Sequence, residues 1–294
     1  MIARVVSLGS VIVDVVLEVP ALPPRGGDVL AVQRGMAVGG AFNVLSAASR
    51  LGLPGVYAGP HGTGPFGDLV RATLAREGIE IARVPNPHLD TGSTIAIIEP
   101  DAERTFITVT GADGVVEPAD LQGIAYRKDD AVYVSGYDLA YPGAGESIAR
   151  HVASLTAELF VAFDPGPLVA DIPRGLLQAI LERANAVSLN ARESDLLGDI
   201  DVEVVVVRQG AGGATINPRG ERPIHVDAVR VENAVDTSGA GDVHMGAMLA
   251  GLAQGLAWPG AVRLANQAAA FAIARRGPAA GPTVVELEEF RVGE

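Results

Sequence analysis

Hydrophobic and polar positions change period repeatedly along the chain, and the changes mark its elements. Ala3 to Leu8 is an apolar run closed by Gly9, the pattern of a buried strand. Val11 to Val19 follows, β-branched and broken by Asp14; a turn at Leu22-Pro-Pro-Arg-Gly-Gly leads to a further extended run, Val29 to Val38, ending in Gly39-Gly40. Asn43 to Leu51 reads as a helix stopped by Gly52, Val56 to Gly59 as a strand, and Gly67 to Glu77 as a helix closed by Gly78. Ser93 to Ile98 and Arg104 to Thr110 flank Pro100-Asp101-Ala102-Glu103, which predicts a hairpin. The runs within about 11–38 and 92–110 break the strand–helix rhythm and predict a separate small sheet.

From Ala131 strands and helices alternate: strand 131–135, helix 144–157, strand 159–163, helix 174–184, strand 186–189, helix 191–197, strand 203–207. A hairpin of 213–217 and 223–226, helices 240–254 and 259–275, and a last turn at Glu286 to Phe290 complete the chain. Such alternation predicts an α/β fold with a doubly wound, mostly parallel central sheet flanked by helices. Ligands of such sheets sit beyond the carboxyl ends of the strands. Residues 1–294, without internal repeat or long linker, fit one large α/β domain with an inserted sheet.

Composition narrows the function. The chain is 48% hydrophobic but 4% aromatic, so its core is aliphatic. A net charge of −13 argues against nucleic acid or an anionic membrane as partner. There is no cysteine, hence no disulfide or thiol chemistry. No apolar run approaches the ~20 residues of a membrane span, and the first residues lack a signal-peptide layout, so a cytoplasmic location is expected.

The densest chemistry is Asp236-Thr-Ser238-Gly239-Ala240-Gly241-Asp242-Val-His244-Met-Gly246. Small residues before an apolar helix allow close backbone approach, and the helix N-terminus offers free N–H groups and positive dipole. Together they make an anion site with a carboxylate, Asp242, beside it. His244 reads as a packed or hydrogen-bonded residue. Elsewhere two readings stand side by side. Asn43 is an N-cap or part of a sugar-binding corner with Gly39 and Gly40. Asp14 is at an exposed edge or aimed at a polar ligand. Asn190 and Glu193 form a capping box or hold hydrated Mg2+. Arg208-Gln-Gly210 is a hairpin turn or a nucleotide-contacting loop. Gly62-Thr-Gly64-Pro-Phe-Gly67 matches a dinucleotide fingerprint and keeps an NAD(P)-binding oxidoreductase open, although Pro65 removes a donor. No G-x-x-x-x-G-K-[ST] run is present.

These residues resemble the ribokinase-like (PfkB-type) carbohydrate kinases. Asp236 to Leu249 matches the family's C-terminal signature, and Gly39, Gly40, Ala41, Asn43, Gly52 and Gly62 match the N-terminal one. Gly9 to Asp14, Asn190-x-x-Glu193 and Gly277-Pro-Ala-Ala-Gly281-Pro-Thr follow in the family's order. The resemblance implies transfer of the γ-phosphoryl group of ATP to a hydroxymethyl of a sugar or nucleoside. Asp242 would be the general base and Gly239, Ala240 and Gly241 the anion hole. Asp14, Gly39, Gly40 and Asn43 would hold the acceptor. Asn190 and Glu193 would order Mg2+ through water, and Arg208, Gly210 and Asn266 would lie near the nucleotide. Asp236, Ser238, Gly277 and Gly281 match a region where several relatives bind K+. The small sheet would be a lid, which in many relatives forms a homodimer interface. A non-catalytic sugar or nucleoside binder on the same fold is the remaining alternative. The chain departs from the family pattern at Arg208-Gln209, where a Thr-Leu type pair is commoner, and at His244, where an aromatic is common. At a helix N-terminus Asp242 is expected to stay ionised at neutral pH.

Overall fold

The computed structural model describes residues 1–100, 104–275, 277 and 281–292. Asp101 to Glu103 of the expected hairpin turn and Pro278 to Ala280 of the Gly277–Thr283 stretch lie outside the described residues. The elements are β1 (Arg4–Ser7), β2 (Val11–Glu18), β3 (Val32–Gly40), α1 (Ala41–Arg50), β4 (Gly55–Tyr57), α2 (Pro65–Arg76), β5 (Glu80–Ile81), β6 (Ser93–Ile98) and β7 (Arg104–Val109). After these come α3 (Pro118–Gln122), β8 (Asp130–Ser135), α4 (Gly136–Ala140), α5 (Ala144–Ser154), β9 (Phe160–Asp164), α6 (Arg174–Arg183), β10 (Ala186–Asn190), α7 (Ala191–Leu197) and β11 (Val204–Arg208). The chain ends with β12 (Ala214–Pro218), β13 (Ile224–Val226), α8 (Ala240–Ala253), α9 (Trp258–Ile273) and α10 (Val284–Val292).

The large sheet runs β13-β12-β11-β10-β9-β8-β1-β4-β5. It is parallel from β5 to β11, with β12 and β13 antiparallel at one edge. Its strands are apolar at successive positions because both faces are covered. Val5, Tyr133, Ala162 and Val206 pack on one side with α1, α8 and α9. Val6, Val134, Phe163 and Leu189 pack on the other with α4, α5 and α6. The two-residue β5 and the five-residue α3 and α4 escape sequence reading because they are too short to show a period.

The separate sheet forms in the order β3-β2-β6-β7. One buried carboxylate ties its base: Asp113 Oδ1 accepts the N–H groups of Gly92 and Gly111, each at 2.8 Å, just where the β6–β7 hairpin leaves and re-enters the core. A Cβ at Gly92 would collide with that carboxylate, which explains the glycine.

Candidate active site

Residues from the small sheet, α1, α8 and the carboxyl ends of β9, β10 and β11 converge on the start of α8. Gly239 caps α8 with φ 71°, a left-handed conformation that favours glycine. Asp242 is the third residue of the helix. Behind it α8 is buried from Val243 to Gly251 and meets α1 so closely that a Cβ at Gly246 would strike the Val44 carbonyl. That contact brings Asn43 Nδ2 within 2.9 Å of Asp242 Oδ2, with Asn43 donating.

Asn43 is therefore not the N-cap of α1. The helix starts two residues earlier because Gly40, at φ 67°, turns the chain there, and Ala41 N–H donates to Ser10 O at 3.0 Å. Asn43 thus lies inside the first turn with its amide directed at Asp242. Its Oδ1 is buried and has no hydrogen-bond partner among the described residues.

Gly39 pairs with Ile12 across β2 and β3, and the carboxylate of Asp14, opposite Ala37, reaches diagonally against Gly39. A Cβ at Gly39 would lie 2.5 Å from Asp14 Oδ2, so only glycine lets the strands close over that carboxylate. Burial raises the Asp14 carboxyl to about 6. Burial also raises Asp242, to about 7; the charges of Asp164 and Asp14 push the same way, while Asn43 and Arg208 oppose them. Full ionisation of Asp242 at neutral pH does not hold in the ligand-free protein, because desolvation outweighs its hydrogen bond.

On the other side of the α8 start lies Arg208. Its Nη1 donates to Asp164 Oδ2 at 2.8 Å and Ser188 Oγ at 2.9 Å, and its Nη2 stands 3.7 Å from Glu193 Oε2. Burial disfavours its charge, but Asp164, Glu193 and Asp242 outweigh burial and hold the guanidinium protonated. Asn190 and Glu193 form the capping box of α7: Glu193 accepts from Asn190 N and Nδ2, both at 2.7 Å, and Glu193 N–H donates to Asn190 Oδ1 at 2.9 Å. Gly210 opens the turn between β11 and β12 with φ 57°.

Asn266 stands apart from this cluster. Its Nδ2 donates to the carbonyls of Val226 and Asp227 at 3.2 and 2.9 Å, and its Oδ1 lies 3.1 Å from His244 Nε2. Burial and the charge of Arg208 lower His244 to about 3, so the ring is neutral and Nε2 donates to Asn266. Asp236 draws Ser238 N–H and Gly277 N–H together at 2.9 and 3.2 Å. The Gly281 carbonyl accepts from Arg50 at 2.8 Å.

Two carboxylates escape sequence reading. Asp138 on α4 is buried, accepts Ser10 N–H on both oxygens at 3.0 and 3.2 Å, and is raised to about 7 by burial against the Ser10 hydrogen bonds. Asp164 ends β9 beneath Arg208. The signal available for each was an acid at the end of an apolar strand or just after one.

At Gly62–Gly67 the structure favours a structural turn over a dinucleotide site. The N–H groups of Phe66 and Gly67 at the start of α2 donate to the Asp90 carboxylate at 3.1 and 2.7 Å, so the chain's own anion occupies the place a pyrophosphate would take. Among the described residues no cluster of three or more metal-ligating side chains is present, and no helix is long and apolar enough to cross a membrane.

The pfkB family carbohydrate kinase model matches residues 2–284. The chain belongs to the pfkB family of carbohydrate kinases. It is 33% identical to an uncharacterised sugar kinase, YegV, of Escherichia coli strain K12, over 96% of this chain and 92% of that protein. Its fold is that of a ribokinase from Thermotoga maritima, with a TM-score of 0.81 at 22% identity, covering 99% of both chains. A nucleoside kinase from Methanocaldococcus jannaschii is similar, with a TM-score of 0.82 at 17% identity over 100% of this chain and 99% of that one. The α/β fold with its nine-stranded, mostly parallel sheet and separate four-stranded sheet is thus the ribokinase-like fold.

Proposed function

We propose that this pfkB-family kinase moves the γ-phosphoryl group of ATP to a hydroxymethyl of a sugar or nucleoside, with Asp242 as general base. The acceptor oxygen bonds to the γ-phosphorus, the bond from that phosphorus to the ADP oxygen breaks, and the hydroxyl proton passes to Asp242. The observation that carries this is the Asn43–Asp242 hydrogen bond of 2.9 Å at the N-terminus of α8. It sets a base of suitable strength beside N–H groups of Gly239, Ala240 and Gly241 that would receive the phosphoryl oxygens. Asp14, with Gly39 against it and Gly40 next along β3, would bind acceptor hydroxyls, and Asn43 Oδ1, unpartnered among the described residues, is an acceptor that a ligand hydroxyl would satisfy.

The donor set near Glu193 suits a cation kept in its water shell, since both Glu193 oxygens already accept from Asn190. Asn190 and Glu193 would hold the waters of Mg2+, whose chemistry here is to neutralise the ATP phosphates. Arg208 and Gly210 would flank the nucleotide, and Asn266 would act on it only by fixing the 226–227 backbone. Asp236, Ser238 and Gly277 would line a K+ site, with Gly281 beside it tied to Arg50. The small sheet would close over the acceptor and exclude water, which otherwise competes for the phosphoryl group. Its exposed Val32, Met36, Phe106 and Val109 suit a homodimer through the lid.

A panel of sugars and nucleosides assayed with ATP, Mg2+ and K+ for ADP release and a new phosphomonoester tests the proposal. Turnover with an acceptor bearing a hydroxymethyl is expected. Silence across the panel would return the chain to a binding role.

A further inference from the structure

Gly241 is glycine for a different reason from Gly239. Its φ lies outside the left-handed region, so the backbone does not demand it. What a side chain would meet is Arg208: a Cβ there would lie 3.3 Å from both Cζ and Nη2 of the guanidinium. The guanidinium is held by Asp164 and Ser188, and 14% of the side chain is exposed. A planar cation fixed by hydrogen bonds at a helix N-terminus needs no reorganisation when charge develops nearby.

We propose that Arg208 is a positioning and charge-supplying residue for phosphoryl transfer: pinned by Asp164 and Ser188 against Gly241, it adds positive charge behind the N–H groups that receive the phosphoryl oxygens. The inference rests on the assignment of Asp242 and the α8 N-terminus given above. Without Arg208, Asp164 and Glu193 would present uncompensated negative charge to an incoming triphosphate. Arg208 also acts on the base itself. The groups bearing on Asp242 are Asn43 from α1, Asp14 from β2, Asp164 from β9 and Arg208 from β11, with Tyr133 and Tyr137 at β8 and α4 sensing its charge. Arg208 is the cation among them.

Arg208→Met, Arg208→Lys and the double variant Arg208→Met with Asp164→Asn, run beside Asp242→Asn, test this. Loss of the cation is expected to lower kcat about 100-fold, the size of losing one preorganised donor, with little change in the acceptor KM. In the free protein, a carbon-13 NMR titration of the Asp242 carboxyl is expected to move to higher pH in Arg208→Met and to stay near its original position in Arg208→Lys. The double variant removes the Arg208–Asp164 pair together, leaving the buried Glu193 held by its Asn190 hydrogen bonds, and it too is expected to be slow. Unchanged kcat and an unchanged Asp242 titration in Arg208→Met, beside an inactive Asp242→Asn, would overturn the inference alone. If neither methionine variant folds, Arg208 is only a structural tie and the inference falls. Normal turnover by Asp242→Asn would instead sink the base assignment on which it rests.

Discussion

The Asn43 amide donates to the Asp242 carboxylate across 2.9 Å, joining residues 199 positions apart in the chain. The bond spans two helix N-termini, that of α1 at Gly40 and that of α8 at Gly239, each entered through a glycine with positive φ. It stabilises the ionised form of a base that burial drives toward protonation. Asn43→Ala is therefore expected to raise the pKa of Asp242 and to lower kcat/KM about 10–100-fold, the worth of a hydrogen bond to a charged group. Steady-state kinetics over pH 5 to 9 would check both effects; an unmoved acid limb would refute the link.

With Asp242 as the proposed base, the same carboxyl would set the pH dependence of the reaction. A base must be ionised to accept a proton, and Asp242 titrates at about 7 in the ligand-free protein. Activity measured as kcat/KM should rise as pH passes upward through about 7 and level off above. An acid limb down near pH 4, the range of an ordinary aspartate, would show that the base is another group or that the site is wetter than the structure has it.

Buried carboxyls with raised pKa values also act on stability. Asp138 stands at about 7 in the fold, above its unfolded value, so the folded state holds the proton more tightly. Its contribution is fully present at low pH and is lost as pH rises through the folded value. Asp138→Asn should flatten the decline in Tm between pH 4 and 7 relative to the parent chain. The difference between the two chains isolates Asp138 from His61 and His244, whose lowered values give slopes of opposite sign. Equal slopes in the two proteins would contradict this.

Asp113 holds the root of the small sheet through two N–H groups, and Asp113→Ala would deprive the buried Gly92 N–H and the half-buried Gly111 N–H of this acceptor. A loss of about 2–4 kcal/mol in unfolding free energy is expected from denaturant titration. The acceptor KM should rise as well, since the strands carrying Asp14 would lose their fixed base. A variant as stable as the parent would mean that other acceptors replace the carboxylate.

Much of the architecture was legible because the parallel strands are continuous apolar runs bounded by turn residues and most helices are amphipathic or fully apolar. The strand–helix alternation from Ala131 predicts the sheet that forms, and the small sheet was visible as a break in that alternation. At the site, Asp242 stood out because an apolar helix needs no glycine-rich entry of that kind. Other features depended on distances the chain order hides. Nothing near Asn43 indicates that it reaches Asp242, because the partner lies on another helix. Asp138 and Asp164 carried no distinguishing signal in the sequence; only the fold sets Ser10 and Arg208 against them. At Gly62–Gly67 the sequence showed that Pro65 removes a donor, but not that Asp90 fills the helix start.

Asp242→Asn tests the general base most directly. The amide is nearly the shape of the carboxylate and can still pair with Asn43, so fold and nucleotide binding should persist by circular dichroism and calorimetry. Single-turnover phosphoryl transfer should fall by about 100–10,000-fold, the range of general-base contributions. Transfer within a few-fold of the parent rate, in a folded variant that binds ATP, would contradict the assignment of Asp242 as the base.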